Sequence, residues 1–361
     1  MVKLAMSKVD FKAVLEEKKE KIWPVIEKYL KKLTVFPDYC QIPDKYSEMA
    51  EFHQKMVSEY PERKGKYLRP SLVVLTALAM GFPEKKALQT AAAMETSEDW
   101  ILNHDDIEDD SLQRRGKPAL HKIYGKELAI NAGDALHIVM WRILRDNLKI
   151  IGGEKGLLIM DEFLRMLDRT VLGQTAEIKW TQESKTNLTD EDVLFILESK
   201  TGYYTIAGPM RLGAILAGAT KKQLADIYEF GKILGRSFQI VDDLLDLTSD
   251  FKGNKKQMGN DIYEGKRTIM LVHLFRTLSG KDKEKLLMIM KKPREKKTVG
   301  EVEWVIKMMR DHGSLEYGRI LAEKFAVEAE AIFEKKLKFL KFQPGRDQLK
   351  TGIEFIVKRD H

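Results

Sequence analysis

Residues 105–118 read DDIEDDSLQRRGKP, and the first six of them include five acids. An α-helix brings residues four apart to one side, so Asp105 and Asp109 are expected to point the same way, about one turn apart. Such a pair repels itself unless a cation lies between the two carboxylates. Carboxylates that leave positions open for water and phosphate oxygens suit Mg²⁺, and the arginines at 114 and 115 suit the phosphates of its ligand. The alternative is an acidic helix end that interacts only with the helix dipole.

A second acidic cluster, DDLLD at residues 242–246, repeats the spacing of Asp105, Asp106 and Asp109. Its neighbours in sequence are apolar, and carboxylates in such surroundings stay charged only when they are paired or bound to metal. If the two acidic helices face each other, their carboxylates can hold several divalent cations and, through them, an oligophosphate. Two such helices in one chain are a far more specific signal than one.

Composition excludes several classes of protein. The 361 residues are 43% hydrophobic and carry a net charge of +7, without a basic block interleaved with aromatics, so a nucleic-acid partner is not expected. Cys40 is the only cysteine, which excludes a disulfide framework and a cysteine-based zinc site. No uncharged apolar run approaches the roughly 20 residues of a membrane span, and the first residues lack the apolar core of a signal peptide. We expect a cytoplasmic protein without a membrane span.

Helical periodicity dominates the sequence, and alternating strands and internal repeats are not evident. The pattern predicts helices over residues 10–34, 45–60, 70–80, 85–110, 119–150 (one or two), 153 to about 180, 191–217, 221–248, 265–279, 283–291, 299–311, 315–341 and 346–358. The connections are short, and no change of composition marks a linker. We therefore predict one all-α domain, residues 1–361, made of roughly a dozen helices.

Basic residues accompany these motifs and indicate anion binding without base readout, because arginine offers phosphate a bidentate fork and lysine a point charge. Each one taken singly is more often a surface cation. They are Lys66 and Arg69 in GKYLRP, Arg114 and Arg115 after the first acidic cluster, Lys200 in KTG, and Lys256 and Lys266 after the second.

The order and spacing of these motifs resemble those of the trans-isoprenyl diphosphate synthases, which make geranyl, farnesyl, geranylgeranyl and longer prenyl diphosphates. The resemblance covers about residues 60–270. Its elements are GKYLRP (65–70), DDIEDDSLQRRGKP (105–118), NAGDAL (131–136), GQTAE (173–177), KTG (200–202), GRSFQIVDDLLD (235–246) and KQMGNDIYEGK (256–266). It implies a single-domain helical bundle around a central cavity, a homodimer, and three Mg²⁺ ions at each active site. The substrates that it implies are isopentenyl diphosphate and allylic prenyl diphosphates.

The resemblance also implies roles for individual residues. Metal binding falls to Asp105, Asp109 and Asp242, supported by Asp106, Asp243 and Asp246. Allylic diphosphate binding falls to Arg114, Lys200, Lys256, Lys266 and Gln174. Lys200, Thr201 and Gln239 are expected to act at the reaction centre. Isopentenyl diphosphate binding falls to Lys66, Arg69, Arg115 and the position of Glu98.

Glu98 departs from the family pattern, which has His or Gln seven residues before the first aspartate. A carboxylate there repels a diphosphate unless Arg or Lys neutralises it. Two milder departures are Glu177, where Asp is usual, and Gln257, which is Lys in some branches; Lys256 matches the register of others.

Product length in this family depends on the residues four, five and eight before the first motif, here Ile101, Trp100 and Ser97. An aromatic residue at the fifth position without one at the fourth resembles the archaeal geranylgeranyl type, whereas aromatics at both resemble farnesyl synthases. Trp100 is therefore expected to limit the product to twenty carbons. The alternative is that Trp100 is a packing residue of the core.

The motifs suggest three candidate functions. The first is a prenyltransferase that makes geranylgeranyl diphosphate, or alternatively farnesyl diphosphate. A terpene cyclase shares the first motif but has no use for Lys66 and Arg69, because it binds no second diphosphate. A non-catalytic subunit of a heteromeric synthase generally lacks the aspartate motifs, which are intact here.

Overall fold

The computed structural model describes residues 10–248 and 258–357, and within them the predicted all-α class is confirmed. The helices of the first half are α1 (Phe11–Leu30), α2 (Ser47–Glu62), α3 (Leu68–Ala79), α4 (Glu84–Glu108), α5 (Leu120–Tyr124), α6 (Lys126–Ile151) and α7 (Gly153–Gln182). Those of the second half are α8 (Asp190–Ile196), α9 (Gly208–Leu216), α10 (Lys221–Thr248), α11 (Asn260–Glu264), α12 (Ile269–Thr277), α13 (Gly280–Met290), α14 (Val299–Asp311), α15 (Ser314–Lys336) and α16 (Gly345–Val357). None of these helices is long and apolar enough to cross a membrane.

Two helices differ in detail from their predictions. The segment predicted as one helix over residues 191–217 contains a π-helix, Leu197–Ala207, between α8 and α9. Its wider turn is a feature that often marks functional sites, and hydrophobic periodicity does not reveal it. The helix predicted over 265–279 begins later, at Ile269, because Gly265 has a left-handed backbone (φ 81°) that ends α11. The predicted helix over 191–217 is thus continuous with a change of hydrogen-bonding pattern, whereas the start predicted at residue 265 was wrong.

A short β-hairpin follows α4, in the connection between two predicted helices. β1 (Gln113–Arg114) pairs antiparallel with β2 (Lys117–Pro118). The two residues of the turn have positive φ, 53° for Arg115 and 75° for Gly116, as a two-residue hairpin of type I′ requires. Strands of two residues are too short to show an alternating pattern. The turn presents the side chains of consecutive arginines to different neighbours.

The chain divides into two compact units, and the predicted single domain stays a prediction. The first unit comprises Met1–Glu162, Pro209–Leu224 and Phe339–Glu354. At its centre α4 packs against α1, α3 and α6. The middle of α4, residues 91–94, is buried on every side, as expected for a helix that is apolar all round. This central position places the polar residues at the end of α4 on a rigid support.

The second unit comprises Phe163–Gly208, Ala225–Lys338 and Phe355–His361. Its helix α12 packs against α14 and α15, and α8 packs against the π-helix. α8 begins with a capping box between Thr189 and Asp192, at the helix start that the sequence predicts, and α14 begins with another between Thr298 and Glu301. Each box satisfies backbone N–H groups that the first helical turn leaves without partners.

Candidate active site

The first acidic motif lies in the last turns of α4, in the first unit. Asp105 and Asp109 are four residues apart on this helix, and both side chains are partly exposed. Asp109 is the C-cap residue directly after Glu108, and its N–H donates to the Asp105 carbonyl oxygen at 2.9 Å. The two carboxylates therefore occupy one helix face at a solvent-accessible end, where oxygen ligands can reach a cation.

Asp106 has different surroundings and contacts protein groups with both of its carboxylate oxygens. Its side chain is fully buried. The guanidinium of Arg114 donates from Nε to both oxygens at 3.0 Å, and Nη2 donates to Oδ1 as well. The Tyr60 hydroxyl donates to Oδ2 at 2.6 Å and accepts from the Leu120 N–H at 3.0 Å. Asp106 thus fixes the orientation of Arg114 beside Asp105, whose carboxylate lies 3.7 Å from the guanidinium.

Arg69 and Arg115 both pair with carboxylates of α4. Arg69 Nη1 lies 2.8 Å from Glu98 Oε1. Arg115 Nη1 donates to Asp99 Oδ1 at 2.8 Å, and its Nη2 is 3.8 Å from Glu95 Oε1. Arg69 therefore supplies the neutralising charge that a carboxylate at position 98 requires.

Lys66, the remaining cation predicted for isopentenyl diphosphate, is exposed, two residues before α3. The residue between them, Tyr67, has a left-handed backbone (φ 57°). Burial is the largest cause of the rise in the pKa of the Tyr67 hydroxyl, and the neighbouring carboxylates add to it. The hydroxyl is therefore a neutral hydrogen-bonding group at every physiological pH.

The three residues predicted to set product length lie on α4 as expected. Ser97 is fully buried and donates to the Met94 carbonyl oxygen at 2.7 Å. Trp100 and Ile101 are half-buried. The Trp100 ring stacks on the imidazole of His137 from α6, with a centroid distance of 4.1 Å and an interplanar angle of 8°. His137 Nε2 accepts in turn from Trp141 Nε1 at 2.9 Å, so two α6 residues hold the indole of Trp100 in place.

The second unit contains a cavity that several predicted site residues line, with an empty volume of about 510 Å³ that includes its open mouth. The predicted residues among its lining are Lys200, Thr201, Gln239, Asp243 and Lys266. Thr201 Oγ1 donates to Gln239 Oε1 at 2.7 Å, and Gln239 Nε2 donates to Asp243 Oδ1 at 2.8 Å. A chain of hydrogen bonds therefore connects the π-helix to the second acidic motif.

The two lysines of this cavity are paired with acids. Lys200 Nζ donates to Glu177, and Lys266 Nζ lies 2.6 Å from Glu264 and 3.9 Å from Asp261. Burial, together with the nearby Asp242 and Glu177, raises the pKa of the Asp243 carboxyl to about 7. Burial likewise raises the pKa of Asp261, with contributions from Asp243 and Asp246. The cavity thus concentrates oxygen ligands whose negative charge the protein compensates only in part.

The remaining predicted residues have separate positions. Asp246 Oδ2 accepts from the Asp261 N–H at 3.0 Å, and its carbonyl oxygen accepts from the Gly259 N–H at 2.8 Å. Asp246 therefore holds the start of α11. Asp242 is exposed on α10, and Gln174 is half-buried on α7. Lys256 and Gln257 lie outside the described residues.

Five residues of these surroundings were not among the predicted site residues. They are Tyr60, Glu95, Asp99, Glu177 and Asp261. The i, i+4 spacing of Glu95 and Asp99 is visible in the sequence and could have indicated a second acidic face of α4. No sequence signal connects Tyr60 to Asp106, 46 residues further on. In the part of the chain that the structure describes, no three acidic, histidine or cysteine side chains are placed to hold a metal ion by themselves.

Comparison with known proteins assigns the family. A family model described as Polyprenyl synthetase matches residues 50–309. A short chain isoprenyl diphosphate synthase of Methanothermobacter thermautotrophicus is 30% identical over 331 residues, which cover 88% of this chain and 97% of that protein. The crystal structure of geranylgeranyl pyrophosphate synthetase from Pyrococcus horikoshii has a TM-score of 0.79 at 28% identity, and the match covers 96% of this chain and 99% of that chain. The chain belongs to the polyprenyl synthetase family.

The chain is therefore a prenyltransferase, a polyprenyl diphosphate synthase. Similarity by itself does not select a product. The octaprenyl diphosphate synthase of Escherichia coli is 29% identical over 296 residues, which cover 82% of this chain and 86% of that protein. Relatives named for products of different lengths have about the same sequence identity to this chain. The product length therefore depends on the residues that limit chain growth.

Proposed function

We propose that the protein condenses allylic prenyl diphosphates head to tail with isopentenyl diphosphate, and that its main product is geranylgeranyl diphosphate. The observation that carries the proposal is the shared lining of the second unit's cavity. There the cations Lys200 and Lys266 lie with the carboxylates Asp243 and Asp261 beside the neutral dipoles of Thr201 and Gln239. Such a lining suits a diphosphate that is bound partly through metal and partly through ammonium groups.

The residues fit Mg²⁺ as the cofactor. The available ligands are carboxylate oxygens, which a hard cation prefers. The raised pKa of Asp243 means that its charged form lacks sufficient compensation, which a divalent ion supplies. Asp105 and Asp109 offer two carboxylates four residues apart and leave other positions to water and phosphate oxygens. When bound, Mg²⁺ supplies positive charge to the departing pyrophosphate. Three ions per site are the number implied by the resemblance.

The side chains of the protein contribute binding and orientation. In the reaction, the allylic C–O bond breaks, the double bond of isopentenyl diphosphate forms the new C–C bond, and a proton leaves. In the second unit, Lys200 and Lys266 are proposed to stabilise the negative charge that develops on the allylic diphosphate. Thr201 and Gln239 present their dipoles, oriented by a mutual hydrogen bond, to the developing carbocation. Released pyrophosphate is proposed to take the proton, so that no protein base is needed.

Trp100 supports the proposed product length. Its indole is fixed by stacking on His137, so the position five residues before the first motif is occupied by a large and immobile side chain. Ile101, four residues before the first motif, is aliphatic. An aromatic residue at the fifth position before the motif, without one at the fourth, is the combination that the resemblance associates with a twenty-carbon product.

The test is an incorporation assay. Purified protein is incubated with labelled isopentenyl diphosphate, Mg²⁺ and each allylic primer in turn, and the products are separated by length. We expect incorporation that EDTA abolishes, with a twenty-carbon product as the longest main species. Lack of incorporation with every primer would contradict the proposed reaction. A fifteen-carbon end product would leave the reaction intact and assign farnesyl diphosphate instead.

A further inference from the structure

Five neighbouring ionisable side chains of the first unit are here called the α4 charge cluster: Arg69, Glu95, Glu98, Asp99 and Arg115. Three of them project from consecutive turns of α4, and the arginines come from α3 and from the hairpin turn. The cluster contains three carboxyl groups and two guanidinium groups. Every arginine in it already has a carboxylate within 2.8 Å.

The two ion pairs of the cluster differ in freedom to open. The Asp99 side chain is 1% exposed and short, so separation from Arg115 would leave its charge buried and uncompensated. The Glu98 side chain is 14% exposed, and its partner Arg69 is 23% exposed. Glutamate has one more rotatable bond than aspartate, and a partly exposed carboxylate can turn to water at small cost. The Arg69–Glu98 pair is therefore the one that an incoming anion can displace.

We propose that Glu98 is a tethered counter-anion that competes with the diphosphate of isopentenyl diphosphate for Arg69, and that it thereby sets the affinity for this substrate. The inference rests on the proposed function and on the role in binding isopentenyl diphosphate that the family resemblance implies for Arg69. Glu98 acts here as a specificity-determining residue, because it penalises any anion at Arg69 while leaving the guanidinium in place.

The physical basis is competition between a covalently attached and a dissolved anion. A carboxylate on the same fold is present at a high effective concentration, so it occupies Arg69 whenever the site is empty. A diphosphate that binds must separate the pair, and it then lies near a carboxylate of like charge. Glu95 lies near both arginines, and Asp99 pairs with Arg115, so the surroundings stay acidic. Removal of the Glu98 charge alone is therefore expected to strengthen anion binding.

The decisive experiment is calorimetric titration of the full-length protein with isopentenyl diphosphate, without primer and in EDTA, so that metal-dependent binding does not contribute. Glu98→Gln keeps the shape of the side chain and removes its charge. We expect its Kd to be lower than that of the wild type by about tenfold, which corresponds to about 1.4 kcal/mol. Glu98→Ala provides a second variant should the glutamine retain a strong hydrogen bond to Arg69, and the same decrease is expected.

Two further variants test whether the effect passes through Arg69. Glu84→Gln removes another ion-paired carboxylate of α4, at the opposite end of the helix, where Glu84 contacts Lys18 at 2.6 Å; its Kd should equal that of the wild type. In an Arg69→Gln background, binding should be weaker, and Glu98→Gln should no longer improve it. An equal or higher Kd for both Glu98 variants would overturn the inference. Absence of prenyl transfer by the wild type would contradict the proposed function, while this comparison of binding would still decide the role of Glu98.

Discussion

The aspartates of the first motif have different roles because their surroundings differ. Asp105 and Asp109 are partly exposed at the end of α4, whereas Asp106 is fully buried and bound by Arg114 and Tyr60. A buried carboxylate with hydrogen bonds to both oxygens has little capacity left for a cation. The aspartates of the motif are therefore of two kinds: Asp105 and Asp109 are accessible to a metal ion, and Asp106 positions an arginine.

Trp100 provides a prediction at the scale of the single residue. Trp100→Ala removes the indole that stacks on His137 and opens space on that face of α4. Because the imidazole and Trp141 remain in place, the space is expected to stay open rather than collapse. The main product should become longer by at least one five-carbon unit, as measured by chromatography of the labelled products.

A control separates this effect from a general loss of aromatic packing. Trp304 belongs to α14 of the second unit, where Lys285 lies over its ring. Trp304→Ala should leave the product distribution unchanged. If Trp100→Ala also gives the wild-type distribution, Trp100 does not limit chain growth, and the alternative of a packing residue is correct.

At the scale of elements, the contact between α10 and the π-helix decides how the second unit's cavity is lined. Gly235 of α10 lies so close to Gly202 that a Cβ built on it would be 2.3 Å from the Gly202 Cα. This approach places Thr201 and Gln239, from the two helices, within hydrogen-bonding distance. The glycines of KTG and GRSFQ therefore serve helix packing in support of the polar residues beside them.

Gly235→Ala is expected to separate the two helices, because backbone atoms cannot move aside as the end of a flexible side chain can. The expected cost is about 1–3 kcal/mol in the free energy of unfolding. The rate of prenyl transfer should fall by more than the loss of folded protein explains, because the Thr201–Gln239 hydrogen bond is strained. Urea unfolding and the rate of incorporation at a temperature where both proteins are folded measure the two effects.

Gly300→Ala is the matched control, since Gly300 lies in the first turn of α14 and its Cβ would meet nothing within 4 Å. This variant should be as stable as the wild type or slightly more so, because alanine has the higher helix propensity. Equal stability and activity of the Gly235→Ala and Gly300→Ala proteins would show that the close approach of α10 to the π-helix is dispensable.

At the scale of the whole molecule, we propose the homodimer that the family resemblance implies. Along α7, Leu157, Leu164 and Val171 recur every seven residues and remain 62%, 46% and 54% exposed. Apolar residues at this spacing form a stripe on one helix face, which is typical of a helix that packs against a partner. The stripe is the surface that we expect to contact a second copy of the chain.

The double variant Leu164→Glu and Val171→Glu should therefore weaken dimerisation. Sedimentation equilibrium is expected to give twice the mass of the chain for the wild type and a concentration-dependent shift towards the monomer for the variant. Val327→Glu, on the exposed face of α15, replaces an equally apolar residue that is 68% exposed and should leave the mass unchanged. A monomeric wild type would contradict the proposal directly.

The amino-acid sequence by itself determined the all-α class, the approximate bounds of most helices and the two aspartate motifs. These features depend on short-range patterns: a hydrophobic period of 3.6, capping residues such as Thr189, and carboxylates four residues apart. The same local spacing allowed Asp105 and Asp109 to be placed on one helix face. Motif order then indicated the family, which the comparisons confirm.

Only the tertiary structure decided which charges pair. Arg114 and Tyr60 bind Asp106, Arg69 binds Glu98, and Lys200 binds Glu177, 23 residues away. A cation in a sequence can be assigned to a ligand by resemblance, but its partner in the empty protein depends on which helices pack together. Hydrophobic periodicity likewise does not reveal the π-helix that contains Lys200 and Thr201, because this helix depends on close packing against α10. Side-chain pairing and helix packing are long-range properties, and for that reason the sequence located the motifs while the fold determined what each charged group contacts.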